Sequence, residues 1–218
     1  MLAALDGPRL PPASGKPARH LVIFLHGYGA DGNDLIGLGR EWAHALPDAA
    51  FVSPHAPNPC AANPFGGREW FPLTFRDPGE YWRGVNQAAP ALQSFIEAEA
   101  ARLSLPLSAV ALAGFSQGTM MALHVGPRMN APLAAIVGFS GHLAGAEHLA
   151  REIKSRPPVL LVHGSDDAVI PVEAIHHARM ALGAAEVPVE WTIRPGLAHG
   201  IDPEGLRAAG AFLRNALH

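Results

Sequence analysis

Ser116 stands at the centre of Gly114-Phe115-Ser116-Gln117-Gly118, between an apolar run (Leu107 to Ala113) and a helix-like stretch (Thr119 to Val125). A serine hydroxyl is a poor nucleophile at neutral pH. It needs a base to take its proton and a third group to orient that base. The spacing G-x-S-x-G supplies the geometry: where a strand turns sharply into a helix, the two glycines remove side chains that would clash, and the serine is held out at the end of the strand. The chemistry open to such a serine is attack on a carbonyl carbon through a covalent acyl intermediate.

Two later loops carry candidates for the remaining roles. The run Val159 to His163 leads into Gly164-Ser165-Asp166-Asp167-Ala168-Val169-Ile170-Pro171, and Glu190 to Arg194 leads into Pro195-Gly196-Leu197-Ala198-His199-Gly200. The order serine, acid, histidine, each after a strand, is that of a serine nucleophile on a parallel sheet. His199 is the expected base. Spacing alone leaves Asp166 and Asp167 both open, because either could cap the helix near Pro171 while the other does chemistry.

Attack on an ester or thioester puts negative charge on the carbonyl oxygen, and aimed backbone N–H donors answer it. One should be the N–H of Gln117, at the start of a helix whose dipole favours an anion. The second is expected from the loop His26-Gly27-Tyr28-Gly29-Ala30-Asp31-Gly32-Asn33-Asp34, where glycines let backbone approach a substrate closely. That loop lacks both G-x-x-x-x-G-K-[ST] and G-x-G-x-x-G, which argues against nucleotide binding.

Other groups invite and fail the same test. Gly138-Phe139-Ser140-Gly141-His142 also follows a strand but has no glycine in fifth position, so Ser140 is expected to be structural or to line the site. His176 and His177 are neighbours on a helix and point about 100° apart, so they cannot share one metal ion. No metal is expected. The segment Pro54 to Pro78 holds six prolines, Gly66, Gly67 and the aromatics Phe65, Trp70, Phe71 and Phe75. It is too long and too punctuated for an ordinary connection. It reads as an apolar wall beside the serine; the alternative is a loop whose aromatics are tucked into the core.

The elements that must position these groups alternate along the chain. Strands are expected at Leu21 to Leu25, Ala50 to Ser53, Ser108 to Ala113, Ala134 to Phe139, Val159 to His163 and Glu190 to Arg194. Helices are expected near Asp34 to Ala45, Gly84 to Leu103, Gln117 to Val125, Val172 to Gly183 and Pro203 to Ala216. This is an α/β pattern with a largely parallel sheet. Residues 1–19 read as an N-terminal arm or edge strand, residues 54–82 as a long loop beside the site, and residues 1–218 as one domain. A net charge of -3 with 49% hydrophobic and 16% charged residues gives no electrostatic footprint for nucleic acid or an anionic membrane. The single cysteine, Cys60, excludes an intrachain disulfide and a cysteine-based zinc cluster. With no secretory h-region in Met1 to Leu10 and no apolar run of about 18 residues, a soluble cytoplasmic protein is expected.

Together His26 to Asp34, Pro54-His55-Ala56-Pro57, Trp70-Phe71, Gly114 to Gly118, His163-Gly164 with Asp167 and Pro171, and His199-Gly200 resemble the phospholipase/carboxylesterase family, relatives of acyl-protein thioesterases. The resemblance implies an α/β-hydrolase fold, with a mostly parallel central sheet, helices on both faces and no large cap domain. It implies hydrolysis of small-molecule carboxylic esters, often short-chain, without a cofactor; lysophospholipase and acyl-protein thioesterase activities are the alternatives. It selects Asp167, four residues after the histidine of the His-Gly pair, and assigns the second oxyanion donor to the Tyr28 backbone N–H. It puts Trp70 and Phe71 near the acyl pocket, and it is compatible with a homodimer. Two residues depart from the family pattern: Tyr28 replaces the more usual leucine, which would narrow the pocket, and Ala198 stands where many members have glycine. A binding protein on the same scaffold is a rival reading, but it would have no use for all three of Ser116, Asp167 and His199.

Overall fold

The computed structural model describes residues 4–217 except Pro64, Phe75 and Pro78, so what the sequence suggests for those three loop residues and for residues 1–3 lies outside the described residues. In β2 (His20–Leu25) every residue from Leu21 onward is fully buried. Leu21, Ile23 and Leu25 enter one hydrophobic layer, and Val22 and Phe24 enter the opposite one. Side chains alternate along a strand, so a strand can be apolar throughout only when both faces of the sheet are covered.

The sheet has seven strands in the order β1-β3-β2-β6-β7-β8-β9. Here β1 is Arg9–Leu10, β3 Ala49–Val52, β6 Val110–Phe115, β7 Ala135–Phe139, β8 Val159–Gly164 and β9 Val189–Arg194. All pairs are parallel except β1 with β3. The N-terminal arm is therefore an edge strand. It is fastened by Arg9, whose guanidinium donates to both carboxyl oxygens of the buried Glu99, at 3.2 and 2.7 Å.

Helices cover both faces. α3 (Glu80–Arg102), α4 (Gln117–Val125) and α6 (Glu173–Ala184) pack on one side, while α2 (Leu38–Trp42) and α7 (Pro203–Ala216) contribute Trp42 and Leu213 to the other. The helix expected from Asp34 to Ala45 is two short ones, α1 (Gly32–Ile36) and α2, separated at Gly37, a residue that weakens a helix interior. α3 starts at Glu80 rather than Gly84. A further helix, α5 (Ala146–Glu152), follows Gly145, whose φ of 64° is one that glycine adopts freely. The long loop contains a two-stranded hairpin, β4 (Asn58–Pro59) with β5 (Arg68–Glu69). Among the described residues no helix is long and apolar enough to cross a membrane.

Candidate active site

β6 ends at Phe115 and α4 begins at Gln117, leaving Ser116 alone at the turn with φ 54° and ψ -115°. L-residues rarely adopt this conformation, and it persists only where the surroundings enforce it. They do so here by excluding side chains. A Cβ on Gly118 would lie 1.8 Å from the Leu25 carbonyl oxygen of β2, and one on Gly114 would lie 2.5 Å from the Gly118 carbonyl carbon. Both contacts are with backbone, which cannot move aside cheaply. Gly118→Ala is accordingly expected to cost about 3 kcal/mol or more, read as a large drop in melting temperature; a variant as stable as the parent would contradict this packing.

The Ser116 N–H donates to the Phe139 carbonyl at 2.9 Å, so the turn is tied to the end of β7. Ser140, the next residue there, is fully buried and donates its hydroxyl to the Gly200 carbonyl at 3.2 Å. It is a structural strut between the β7 turn and the loop bearing His199. Gly164, at the end of β8, accepts that loop from another side: a Cβ there would lie 2.1 Å from the Leu197 oxygen. The Asp166 N–H also donates to Leu197, at 3.0 Å.

Within this frame His199 Nδ1 lies 2.8 Å from Asp167 Oδ2. Asp167 Oδ1 accepts the N–H groups of Val169 (2.9 Å) and Ile170 (2.8 Å), and His163 Nε2, which lies 2.8 Å from the Ile170 carbonyl, stands 3.3 Å from Oδ2. Burial raises the Asp167 pKa, but the bond with His199 and the two backbone donors outweigh it and hold the carboxyl below its usual range. A carboxylate only accepts, so Nδ1 of His199 carries the proton and Nε2 is left as the basic nitrogen. The imidazole packs against the Phe115 ring at a centroid distance of 4.9 Å, which sets it beside the residue preceding Ser116. Asp166 is engaged elsewhere, accepting the Ser165 hydroxyl at 2.6 Å.

The loop after β2 closes the other side. A Cβ on Gly27 would stand 3.4 Å from that of Ser116, so this loop runs against the serine at the residue just before Tyr28. His26 is buried and accepts the Ala56 N–H on Nε2 at 3.0 Å, with Nδ1 2.8 Å from the Gly27 carbonyl. Burial pushes its pKa down to about 4, so it is a neutral strut. The Tyr28 phenol faces Cys60 and Glu69; burial first, then the hydrogen bond and charge of Cys60 and the charge of Glu69, raise its pKa and keep it protonated.

Trp70 and Phe71 are each 1% exposed. The Trp70 indole donates to the His26 carbonyl at 3.0 Å, and the Gln117 side chain accepts the Trp70 N–H (2.9 Å) and donates to the Phe71 carbonyl (2.8 Å). They back the site from beneath rather than presenting an open face. Sequence reasoning singled out Gln117 for its backbone only, since nothing in a pentapeptide motif tells where the variable side chain goes. Thr119 was also missed; its hydroxyl lies 2.8 Å from the carbonyls of both Gly114 and Phe139. Phe65, by contrast, is 98% exposed. Among the described residues no three His, Cys, Asp or Glu side chains come together as a metal site.

A parallel sheet whose central strand ends in a strained serine ahead of a helix, with an acid and a histidine paired on the loops after later strands, defines an α/β-hydrolase. The chain belongs to the phospholipase/carboxylesterase family, whose model matches residues 12–217. It is 44% identical to esterase PE8 in a crystal structure that superposes with a TM-score of 0.95 over 99% of this chain and 100% of that one. It is 28% identical to acyl-protein thioesterase 1 of Gibberella zeae, over 90% of each chain. It is also 28% identical to esterase YpfH of Escherichia coli, over 91% of this chain and 84% of that one. The carboxylesterase of Bacillus cereus, at 15% identity and a TM-score of 0.80 over 98% of this chain and 95% of that one, shares the fold.

Proposed function

We propose that this protein is a serine carboxylesterase in which Ser116 is the nucleophile, His199 the general base and Asp167 the group that orients it. The observation that carries the reading is the 2.8 Å pair of His199 Nδ1 and Asp167 Oδ2 on loops strapped to the turn bearing Ser116. His199 Nε2 takes the Ser116 proton as Oγ attacks the ester carbonyl. The tetrahedral oxyanion is met by the backbone N–H groups of Gln117 and Tyr28. His199 then gives its proton to the departing alcohol, leaving an acyl-enzyme, and repeats the cycle with water to free the acid and restore Ser116. Trp70 and Phe71 shape the acyl wall from behind. The reaction as written needs neither metal nor cofactor.

Two relatives carry esterase in their names and one is an acyl-protein thioesterase. The same triad serves esters and thioesters alike, so the acyl group decides between the readings. A p-nitrophenyl ester series from acetate to palmitate, with a fluorophosphonate probe and mapping of the labelled residue, tests both points. We expect label on Ser116 and highest kcat/KM at the short end of the series. A long-chain optimum would favour lysophospholipid or acyl-protein substrates; no label on Ser116 would refute the nucleophile.

A further inference from the structure

The loop after β2 is rich in glycine where it passes Ser116. Gly27, Gly29 and Gly32 carry no side chains, and Gly29 sits at φ 81°. Inside the loop the Ala30 N–H donates to the Gly27 carbonyl at 3.2 Å, His26 Nδ1 stands 2.8 Å from that same carbonyl, and Asp31 accepts the Asn33 N–H at 2.7 Å. From outside, His26 and Gly32 are held by Ala56 and His55, and the middle of the loop by the hairpin of β4 and β5. The Gly29 N–H donates to the Arg68 carbonyl (2.9 Å), the Arg68 N–H donates to the Ala30 carbonyl (2.7 Å), and the Asn63 side-chain amide donates to the Gly29 carbonyl (2.7 Å). Packing there leaves no slack: a Cβ on Gly67 would come within 2.4 Å of the Gly29 oxygen and 2.7 Å of Asn63 Nδ2.

The hairpin is itself anchored. Arg68 donates from Nε to the Ala56 carbonyl (2.8 Å) and from Nη2 to the Pro57 carbonyl (2.9 Å). Two residues beyond Arg68, the Trp70 N–H is held by the side chain of Gln117. A continuous path thus runs from Gln117 through Trp70 and Arg68 to Gly29, the neighbour of Tyr28. It joins the residues that supply the two oxyanion donors, and Asn63 is the side chain that closes it at the Tyr28 end.

We infer that Asn63 is a positioning residue for the oxyanion hole: by holding the Gly29 carbonyl it orients the Gly29–Ala30 peptide, whose N–H holds the Gly27 carbonyl and with it the Gly27–Tyr28 peptide that aims the Tyr28 N–H at Ser116. The inference rests on the proposed roles of Ser116 and Tyr28. A donor displaced by about 1 Å can lose as much as a hundredfold in rate, and its loss falls on the transition state rather than on substrate binding.

The test measures Asn63→Ala and Asn63→Asp on p-nitrophenyl acetate, together with inhibition by phenylboronic acid, whose serine adduct puts a hydroxyl in the oxyanion hole. Melting temperatures and a Ser116→Ala control accompany them. We expect kcat to fall about tenfold in Asn63→Ala and further in Asn63→Asp, whose carboxyl faces the Gly29 carbonyl, with KM within about twofold of the parent. Boronate affinity should fall by the same factor as kcat/KM. A merely structural asparagine would lower the melting temperature without moving boronate affinity, and that result overturns the inference. Parental kcat and boronate affinity in both variants, with Ser116→Ala inactive, overturns it alone; an active Ser116→Ala overturns the proposed site and this inference with it.

Discussion

Ser116→Ala is expected to lower kcat for p-nitrophenyl acetate by about 10⁶-fold, while leaving the circular dichroism spectrum and melting temperature near those of the parent. The large effect follows from the proposed mechanism: without Oγ no acyl-enzyme forms, and His199 and the proposed oxyanion donors can assist only direct attack by water. The small structural effect follows from the backbone. Ser116 is tied through its own N–H to Phe139 and through its carbonyl to the N–H groups of Thr119 and Met120, and alanine keeps all three bonds. Alanine also suffers the same strain at φ 54° as serine, so the turn neither gains nor loses from the exchange. Loss of activity accompanied by loss of fold would leave the change uninformative about chemistry, so the two measurements belong together. A folded Ser116→Ala that still turns over the ester within about tenfold of the parent would remove Ser116 from the mechanism.

The sheet was legible wherever burial on both faces forces continuous apolar sequence. Leu21 to Leu25 and Val159 to His163 could hardly be anything but interior strands. The 58–69 hairpin was not legible, because its strands are two residues long and one contains Pro59; nothing so short carries a period. Yet that hairpin supports the loop after β2. α5 was missed for a related reason, since seven residues after a left-handed glycine give little amphipathic signal.

Within the candidate site, motif spacing singled out Ser116 and His199 directly. It stalled at Asp166 against Asp167 by assuming that capping a turn and orienting a histidine need two residues. One carboxyl does both: Oδ1 of Asp167 takes the two backbone donors, and Oδ2 takes His199. The aromatics of the long loop divided as no composition argument could foresee, with Trp70 and Phe71 inside and Phe65 outside. Trp70 and Phe71 are held inside by the Gln117 side chain and the His26 carbonyl, contacts between residues more than 40 apart in sequence.

That division of labour within one carboxyl makes Asp167→Asn a sharp experiment. The asparagine oxygen must face the Val169 and Ile170 N–H groups, because turning the amide the other way would aim N–H at N–H. The NH₂ then takes the place of Oδ2, facing His199 Nδ1 and the nearby His163 Nε2. A donor opposite Nδ1 moves the His199 proton to Nε2, so the imidazole can no longer accept a proton from Ser116. The expected result is a fall in kcat of about 10³- to 10⁴-fold with KM little changed, although the fold is kept. Stability should respond with a definite sign. The Asp167 pKa is held below its unfolded value, so the carboxylate stabilises the fold at pH above the ordinary carboxylate range, and that contribution is lost as pH falls through the lowered pKa. Asparagine does not titrate, so the stability advantage of the parent over Asp167→Asn should be greatest near neutrality and shrink in acid. Parental kcat in a folded Asp167→Asn, or a stability gap that widens on acidification, would show that Asp167 neither orients His199 nor carries the charge assigned to it.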